Sequence, residues 1–371
     1  MQTNKHPLQS ASPGTERYIT SYHFTGTTDR RIYLQAALHG DELPGMATAW
    51  YLKRQFAALE TAGALRASIT LVPVANPIAL GQFSHGSPQG RFDMQSEQDF
   101  NRHFPVFGAA IARELEHQLG CDETHNKKLI RQALRHRLSA VTPANELESQ
   151  RLILLRLTSD ADIMIDLHCD WEAVPHLYTV PDAWPALAPL ACYLGSQAQL
   201  LAEVSDASPF DEACYEIWST LRRHFAGRFP IPLGLIPVTL ELRGVRDVDA
   251  ATAQTDALAI IQFLTHVGDI AGQTAPPPAL AYPATPLAGC EYLSTPMAGV
   301  ILHQRQLGEW VQRGEVIAEI LDPLSDRLMS LTAGIDGVLY ARHWLRFATH
   351  GMLVARIAGA KPIRSGDLLV P

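Results

Sequence analysis

Two short segments of this sequence carry the side chains that metal-assisted hydrolysis requires. His39-Gly40-Asp41-Glu42 follows an apolar run at 33–38, and Asp166-Leu167-His168 closes a second run at 163–167. Apolar runs of this length are expected to form buried strands, which places both histidines at strand ends. A turn at Gly40 lets His39 and Glu42 converge on one ion. Two imidazoles and one carboxylate can hold a catalytic zinc and leave a fourth position for water. Zinc brings the pKa of such a water towards neutrality and polarises a carbonyl. The chain has 15 histidines, so about one His-x-x-Glu pair is expected by chance. A lone histidine at a strand end is more often a hydrogen-bonded structural residue. The pair gains weight from its placement and from what lies downstream.

Asn76-Pro77 reads as a strand-terminating turn. Asp99-Phe100-Asn101-Arg102, with Arg91 eleven residues before Arg102, can clamp an anionic group, because a guanidinium fork matches a carboxylate bidentately. The plainer alternative is a salt-bridging surface loop. Glu241 closes the run 235–240; beside zinc it can take a proton from water and pass it to a leaving amine, or it can simply pair with Arg243 or Arg246. Asp166 faces the same side of its strand as His168, and Asp170 is placed to hydrogen-bond a ligand imidazole. Cys169 has no thiolate-activating motif beside it. His176 and Tyr178 share one face of a short strand and read best as core residues.

Strands are expected at 31–38, 68–75, 161–167 and 235–240, and helices at 43–58, 108–119, 145–157, 211–225 and 250–266. This alternation predicts an α/β fold with a mixed, mostly parallel sheet flanked by helices, and a ligand site beyond the carboxyl ends of the strands. The polar, helix-prone stretch 122–137 belongs at the surface. Five prolines between 276 and 286 predict a semi-rigid linker outside the sheet. The expected division is a catalytic domain over 1–269, a linker over 270–290 and a small all-β domain over 291–371.

That last domain repeats weakly. Gly314–Ile320 matches Gly351–Ile357, and a Gly-Val pair precedes each, at 299–300 and 337–338. Two such halves resemble the biotinyl/lipoyl-like barrel-sandwich hybrid. No lysine occurs between 291 and 360, which excludes a swinging-arm carrier. The expected role is packing on the first domain or building a homo-oligomer.

The 371 residues are about two and a half times a ~150-residue domain length. Hydrophobic residues at 47 % and charged residues at 18 % supply a core and argue against disorder. A net charge of −8 disfavours nucleic acid or an anionic membrane surface as partner. The longest charge-free stretches, 183–202 and 270–290, contain prolines and do not read as membrane spans. Five cysteines without a CxxC pair, and no apolar leader, suit reduced thiols and a cytoplasmic protein.

In order, these segments resemble the succinylglutamate desuccinylase/aspartoacylase family, which shares the zinc-carboxypeptidase fold. The matches are His39-Gly40-Asp41-Glu42 with Gly45, Asn76-Pro77, Arg91, Asp99-Phe100-Asn101-Arg102 with Phe104-Pro105, Asp166-Leu167-His168 and Thr239-Leu240-Glu241. The resemblance implies one zinc per chain on His39, Glu42 and His168, with Glu241 as general base and acid. It also implies Arg91, Asn101 and Arg102 as contacts to the substrate carboxylate or the developing oxyanion. The implied activity is deacylation of a small anionic N-acylated amino acid. Carboxypeptidase action on a peptide, or a catalytically inactive zinc-binding scaffold, are the alternatives. The chain departs from the family pattern at Asp41, where asparagine is usual, and at Phe100, where leucine is usual.

Overall fold

The computed structural model describes residues 1–205 and 207–369. The chain opens with the antiparallel strands β1 (Gln2–Pro7) and β2 (Tyr18–Phe24), followed by β3 (Arg31–Ala36), α1 (Leu43–Thr61), β4 (Ser68–Val72) and the single turn α2 (Pro77–Leu80). A small hairpin, β5 (Phe83–Ser84) and β6 (Ser87–Pro88), precedes α3 (Gly108–Glu114), α4 (Glu123–Ala140) and α5 (Glu146–Thr158). Then come β7 (Ile163–Asp170), β8 (Glu172–Ala173), β9 (His176–Thr179), α6 (Trp184–Leu194), β10 (Ala198–Leu201), α7 (Phe210–His224), β11 (Ile236–Gly244) and α8 (Ala250–His266).

Among the described residues these strands form a nine-stranded sheet in the order β1-β2-β4-β3-β7-β11-β9-β10-β12, the last being Thr285–Pro286. The centre is parallel from β4 through β3 and β7 to β11; β9 then runs against β11. Every residue of β7 is buried, as befits a central strand covered on both faces. Helices end where the sequence supplies caps: Asn145 accepts from the amide of Glu148, Asp122 from Thr124 and His125, and Asp249 from Thr252. The sheet is the mixed, mostly parallel one expected, with helices flanking it.

The boundaries carry the functional detail. Strand β3 stops at Ala36 because Ala37 takes a left-handed conformation, φ 58°, and the chain turns towards His39. By contrast, β7 runs past Leu167 to Asp170, and β11 runs through Glu241 to Gly244 with a register shift between those two residues. His168 and Glu241 therefore lie within strands rather than beyond them. Helix α3 ends at Glu114, short of the expected 119. Strands β1 and β2 were not expected at all: β1 is polar and mostly exposed, an edge strand without apolar alternation. The proline-rich segment also differs from expectation, because Thr285–Pro286 pairs in parallel with Leu200–Leu201. An edge position tolerates the missing amide of proline.

The remaining strands are β13 (Cys290–Ser294), β14 (Gly299–His303), β15 (Trp310–Val311), β16 (Val316–Asp322), β17 (Arg327–Thr332), β18 (Gly337–Arg342), β19 (Phe347–Ala348) and β20 (Leu353–Ala358). They form two antiparallel sheets, β13-β20-β18-β15 and β17-β16-β14-β19. The repeat explains this layout. Each Gly-Val pair opens a strand, β14 or β18, and each matched heptad leads into β16 or β20. Gly314 and Gly351 both adopt the left-handed turn, φ 90° and 81°. The short strands are exchanged: β15 of the first half pairs with β18, and β19 of the second half pairs with β14. Such interlocking lets two small halves share one interior. Strand β8, which directly follows β7, also joins this module by pairing with β18, Ala173 opposite Ala341. No helix among the described residues is long and apolar enough to cross a membrane.

Candidate functional site

Parallel register brings the site together. Gln35 on β3, Asp166 on β7, Thr239 on β11 and Tyr178 on β9 are aligned in one row across the sheet; His168, Glu241 and His176 form the next. Residues in register share a face; Thr239, Tyr178, His168 and Glu241 of these rows line one cavity at the carboxyl ends of β7 and β11, and the others pack behind it.

His39 reaches this place through a tightly packed turn. Its tightness comes from close approach: a Cβ on Gly40 would sit 2.8 Å from the backbone of Ala79. The left-handed residue is Ala37. Asn76 fixes the same region, donating to Leu38 O at 2.8 Å and accepting from the amide of Ala79 at 2.9 Å. Its expected role as a turn residue thus extends to holding the segment before His39. Glu42 precedes the first residue of α1, and a Cβ on Gly45 would meet Leu167 O at 2.8 Å, so glycine there lets α1 approach β7.

The three residues converge. His39 Nδ1 lies 2.7 Å from Glu42 Oε1, and His168 Nδ1 lies 2.7 Å from Glu42 Oε2. One potential ligand atom from each of the three falls within 4.8 Å of the others, and all three residues are buried. The far side of each ring also faces a carboxylate: His39 Nε2 is hydrogen-bonded to Asp99 Oδ1 at 3.0 Å, and His168 Nε2 makes an ion-pair contact with Asp166 Oδ2 at 3.1 Å. A buried chain continues inward, with Tyr33 donating to Gln35 and Gln35 donating to Asp166 at 2.9 Å. Carboxylates behind the imidazoles fix ring orientation and tautomer so that both Nδ1 atoms face one point. Nitrogen, nitrogen and oxygen donors in a buried cluster are the set that zinc takes. Burial resists charging the rings, but the neighbouring carboxylates outweigh it. Both imidazole pKa values are therefore raised, through Glu42 and Asp99 at His39 and through Asp166 and Glu42 at His168. A cation there would displace protons, so its affinity must rise with pH.

Asp166 and Asp99 thus do what was expected of Asp170. Asp170 instead accepts from Arg356 of β20 and from the amide of Trp171. The signal for Asp166 was its two-residue spacing from His168. Asp99 could not be paired with His39 by spacing, since it lies sixty positions on, beyond α1 and β4. Cys169 is buried, its thiol pKa pushed well up by burial and by the charge of Glu42, and its amide donates to Glu42 Oε2 at 3.1 Å. The thiol is inert; the backbone supports a ligand. His176, packed between Tyr178 and Tyr340, has its pKa lowered to about 4 by burial and is a neutral core residue.

Glu241 lies in register with His168. Neither arginine considered as its partner takes it: Arg243 pairs with Asp256, and Arg246 lies over the Trp344 ring. Its Oε2 is buried without a hydrogen bond among the described residues, and burial, then the charge of Glu42, pushes its carboxyl up to about 8. Arg91 sits at the cavity mouth with Nε 3.2 Å from Asp99 Oδ2. Asn101 accepts from the amide of Phe210 at 2.8 Å, capping α7, and Arg102 Nη1 donates to Asn101 O at 2.9 Å. All three line one cavity of about 140 Å³ with His39, Glu42, His168 and Glu241. Asp211 and Glu212 at the start of α7 also line it and were not anticipated. Burial raises both carboxyls, helped by the charge of Asp166 at Asp211 and by the charge of Asp211 at Glu212, which is pushed up to about 8.

An α/β sheet with a buried His-Glu-His cluster and an adjacent carboxyl at its strand ends has the layout of a hydrolase's catalytic domain. The sequence bears this out over most of that domain: residues 28–267 match the succinylglutamate desuccinylase/aspartoacylase catalytic domain, and the chain belongs to this family, whose members are deacylating hydrolases. Solved structures share the whole architecture. A family protein from Shewanella amazonensis SB2B is 23 % identical, with a TM-score of 0.86 over 96 % of this chain and 98 % of that one. A second, from Shewanella frigidimarina NCIMB 400, is 23 % identical with a TM-score of 0.84 over 96 % and 97 %. The product-bound ectoine utilization protein EutE (DoeB) from Ruegeria pomeroyi is 17 % identical, with a TM-score of 0.67 over 96 % and 94 %. At these identities the likeness is one of fold. Among curated proteins, none matches the chain.

Proposed function

We propose that this chain is a zinc-dependent hydrolase that removes the acyl group from an N-acyl amino acid or a similar small carboxylate. The observation carrying this reading is the bridging of both imidazoles by Glu42, with Asp99 and Asp166 behind them and Glu241 in register beside His168. His39, Glu42 and His168 would hold one zinc per chain, which when bound supplies Lewis acidity to the scissile carbonyl and acidifies a water.

The protein's own groups do the rest. Glu241, buried with Oε2 unpaired among the described residues, takes a proton from the attacking water and delivers it to the departing amine. Arg91, held by Asp99 at the cavity mouth, donates to the oxyanion as it forms. Arg102 and the Asn101 side-chain amide bind the substrate carboxylate; Asn101 spends its carbonyl on Phe210, which leaves its Nδ2 for that purpose.

Steady-state assays on N-acetyl and N-succinyl amino acids beside short peptides test the reading. N-acyl amino acids should be the better substrates. Glu241→Gln should retain zinc by elemental analysis while kcat falls by roughly 10²–10⁴-fold. Peptides turned over in preference would make the chain a carboxypeptidase, and bound zinc without turnover of any amide would make it a scaffold.

A further inference from the structure

The cavity has a wall that the catalytic domain does not supply. Strand β7 carries His168, Asp170 and, through Trp171, the short strand β8, which is already part of the C-terminal module's sheet. Asp170 lies two residues from His168 on the same face of β7, about 6.6 Å along the strand. Arg356, on β20, donates through Nη1 to Asp170 and lines the cavity. It sits in register with Tyr292 on β13 and Ala341 on β18, and Ala341 is opposite Ala173. Small neighbours on one side leave room for its long side chain to cross towards the site.

The guanidinium is fixed before anything binds. Its carbon is 5.2 Å from the centre of the Trp171 ring and 5.2 Å from that of Tyr292. Only one of its nitrogens is hydrogen-bonded. Nε is buried without a partner among the described residues, and Nη2 has no hydrogen bond to any of them. Nε and Nη2 form the edge with which arginine grips a carboxylate side-on through two parallel bonds. Tyr178, in register with Thr239, lines the same wall and shows no hydrogen bond from its hydroxyl to a described residue. Asp170 orients the arginine but uses only Nη1.

We infer that Arg356, with Tyr178, is a subsite for a carboxylate of the substrate remote from the scissile amide, so that the C-terminal module sets specificity. This rests on the function proposed above. Asn101 and Arg102 take the carboxylate near the amide; Arg356, which lines the same cavity, takes another. The remote carboxylate is carried either on the amino acid side chain or on the acyl group.

Two measurements separate this inference from its parent. The first compares kcat/KM for substrates differing only in carboxylate against carboxamide: N-acetylglutamate with N-acetylglutamine, and N-succinylglycine with N-succinamoylglycine. The wild-type protein should prefer the acid of one pair by at least tenfold, and the pair that responds identifies the side bearing the carboxylate. In Arg356→Gln the preference should fall to within twofold of unity, with the loss concentrated on the acid and zinc content unchanged. The second uses calorimetry on the zinc-loaded protein with glutarate and its half-amide, glutaramate, and needs no turnover. Glutarate should bind at least tenfold more tightly to wild type, and the two equally to Arg356→Gln. An acid preference that survives the substitution, equal loss on acid and amide, or no preference in wild type by either measurement would leave Arg356 as a clamp between module and catalytic domain and overturn the inference. If no amide is hydrolysed but the calorimetric difference appears and then vanishes in Arg356→Gln, the subsite stands and the hydrolase reading falls.

Discussion

The catalytic sheet and the C-terminal module are both built from buried strands, yet they use them in opposite ways. In the sheet, parallel register stacks polar side chains in rows at one end: Gln35, Asp166 and Thr239 in one, His168 and Glu241 in the next. These groups are costly to bury; Gln35, Asp166, Thr239 and His168 are each held by another side chain, and Glu241 is the exception. In the module the duplicated halves exchange short strands and bury small aliphatic residues such as Ala318, Ile320, Ala355 and Ile357. The comparison teaches that one region stores its specificity in polar contacts and the other in shape, and that they meet where β8 leaves the sheet for the module. Arg342 and Arg346 seal that junction by pairing with Glu172, and Trp171 packs against His343 at 4.2 Å.

The contrast can be broken most severely at the metal cluster. His39→Ala should abolish stoichiometric zinc in elemental analysis and reduce turnover to background, while the module's strands keep their circular-dichroism signature. A smaller effect is expected one shell out. Asp166→Asn removes the negative charge behind His168, while its amide oxygen can still take the place of Oδ2, which faces both His168 and Gln35; zinc affinity, measured by competition with a chelator, should fall roughly 10–100-fold.

The module should respond in stability rather than in metal binding. Gly314 and Gly351 are open to solvent, with nothing within 4 Å of an added Cβ, so alanine at either is resisted by backbone conformation alone. Each substitution should cost about 1–2 kcal/mol in denaturant unfolding, with zinc content unaltered. Equal losses at the two positions would confirm that the halves are energetically as well as geometrically equivalent. A separate effect is a pH dependence. The Glu212 carboxyl is raised from 4.5 to about 8 by burial and the charge of Asp211. The folded protein therefore binds more protons than the unfolded chain between those values, and stability declines as pH rises from about 4.5 to 8. Glu212→Gln should flatten that decline in unfolding curves recorded across this window.

Much of this was legible in order along the chain. Apolar runs marked β3, β4, β7 and β11, and helical patterns marked α1, α5, α7 and α8, because hydrophobic periodicity acts over a few residues. The polar strand β1 was illegible for the same reason: it pairs at an edge through its backbone and buries almost nothing. Asp170 was misassigned because its partner, Arg356, lies in the other domain. The short strand β19 gave no apolar signal of its own, yet it falls thirty-seven residues after β15, the spacing of the repeated heptads.

By itself, then, the order of residues determined the element types, the duplicated β module, and which side chains were chemically able to bind a metal or move a proton. Only the tertiary structure decided which carboxylates stand behind His39 and His168, that Arg243 and Arg246 turn away from Glu241, and that Arg356 faces the cavity. The reason is physical. Helix, strand and turn preferences are set by neighbours a few positions away, whereas a hydrogen bond between distant segments depends on strand register and on the angle at which two domains meet.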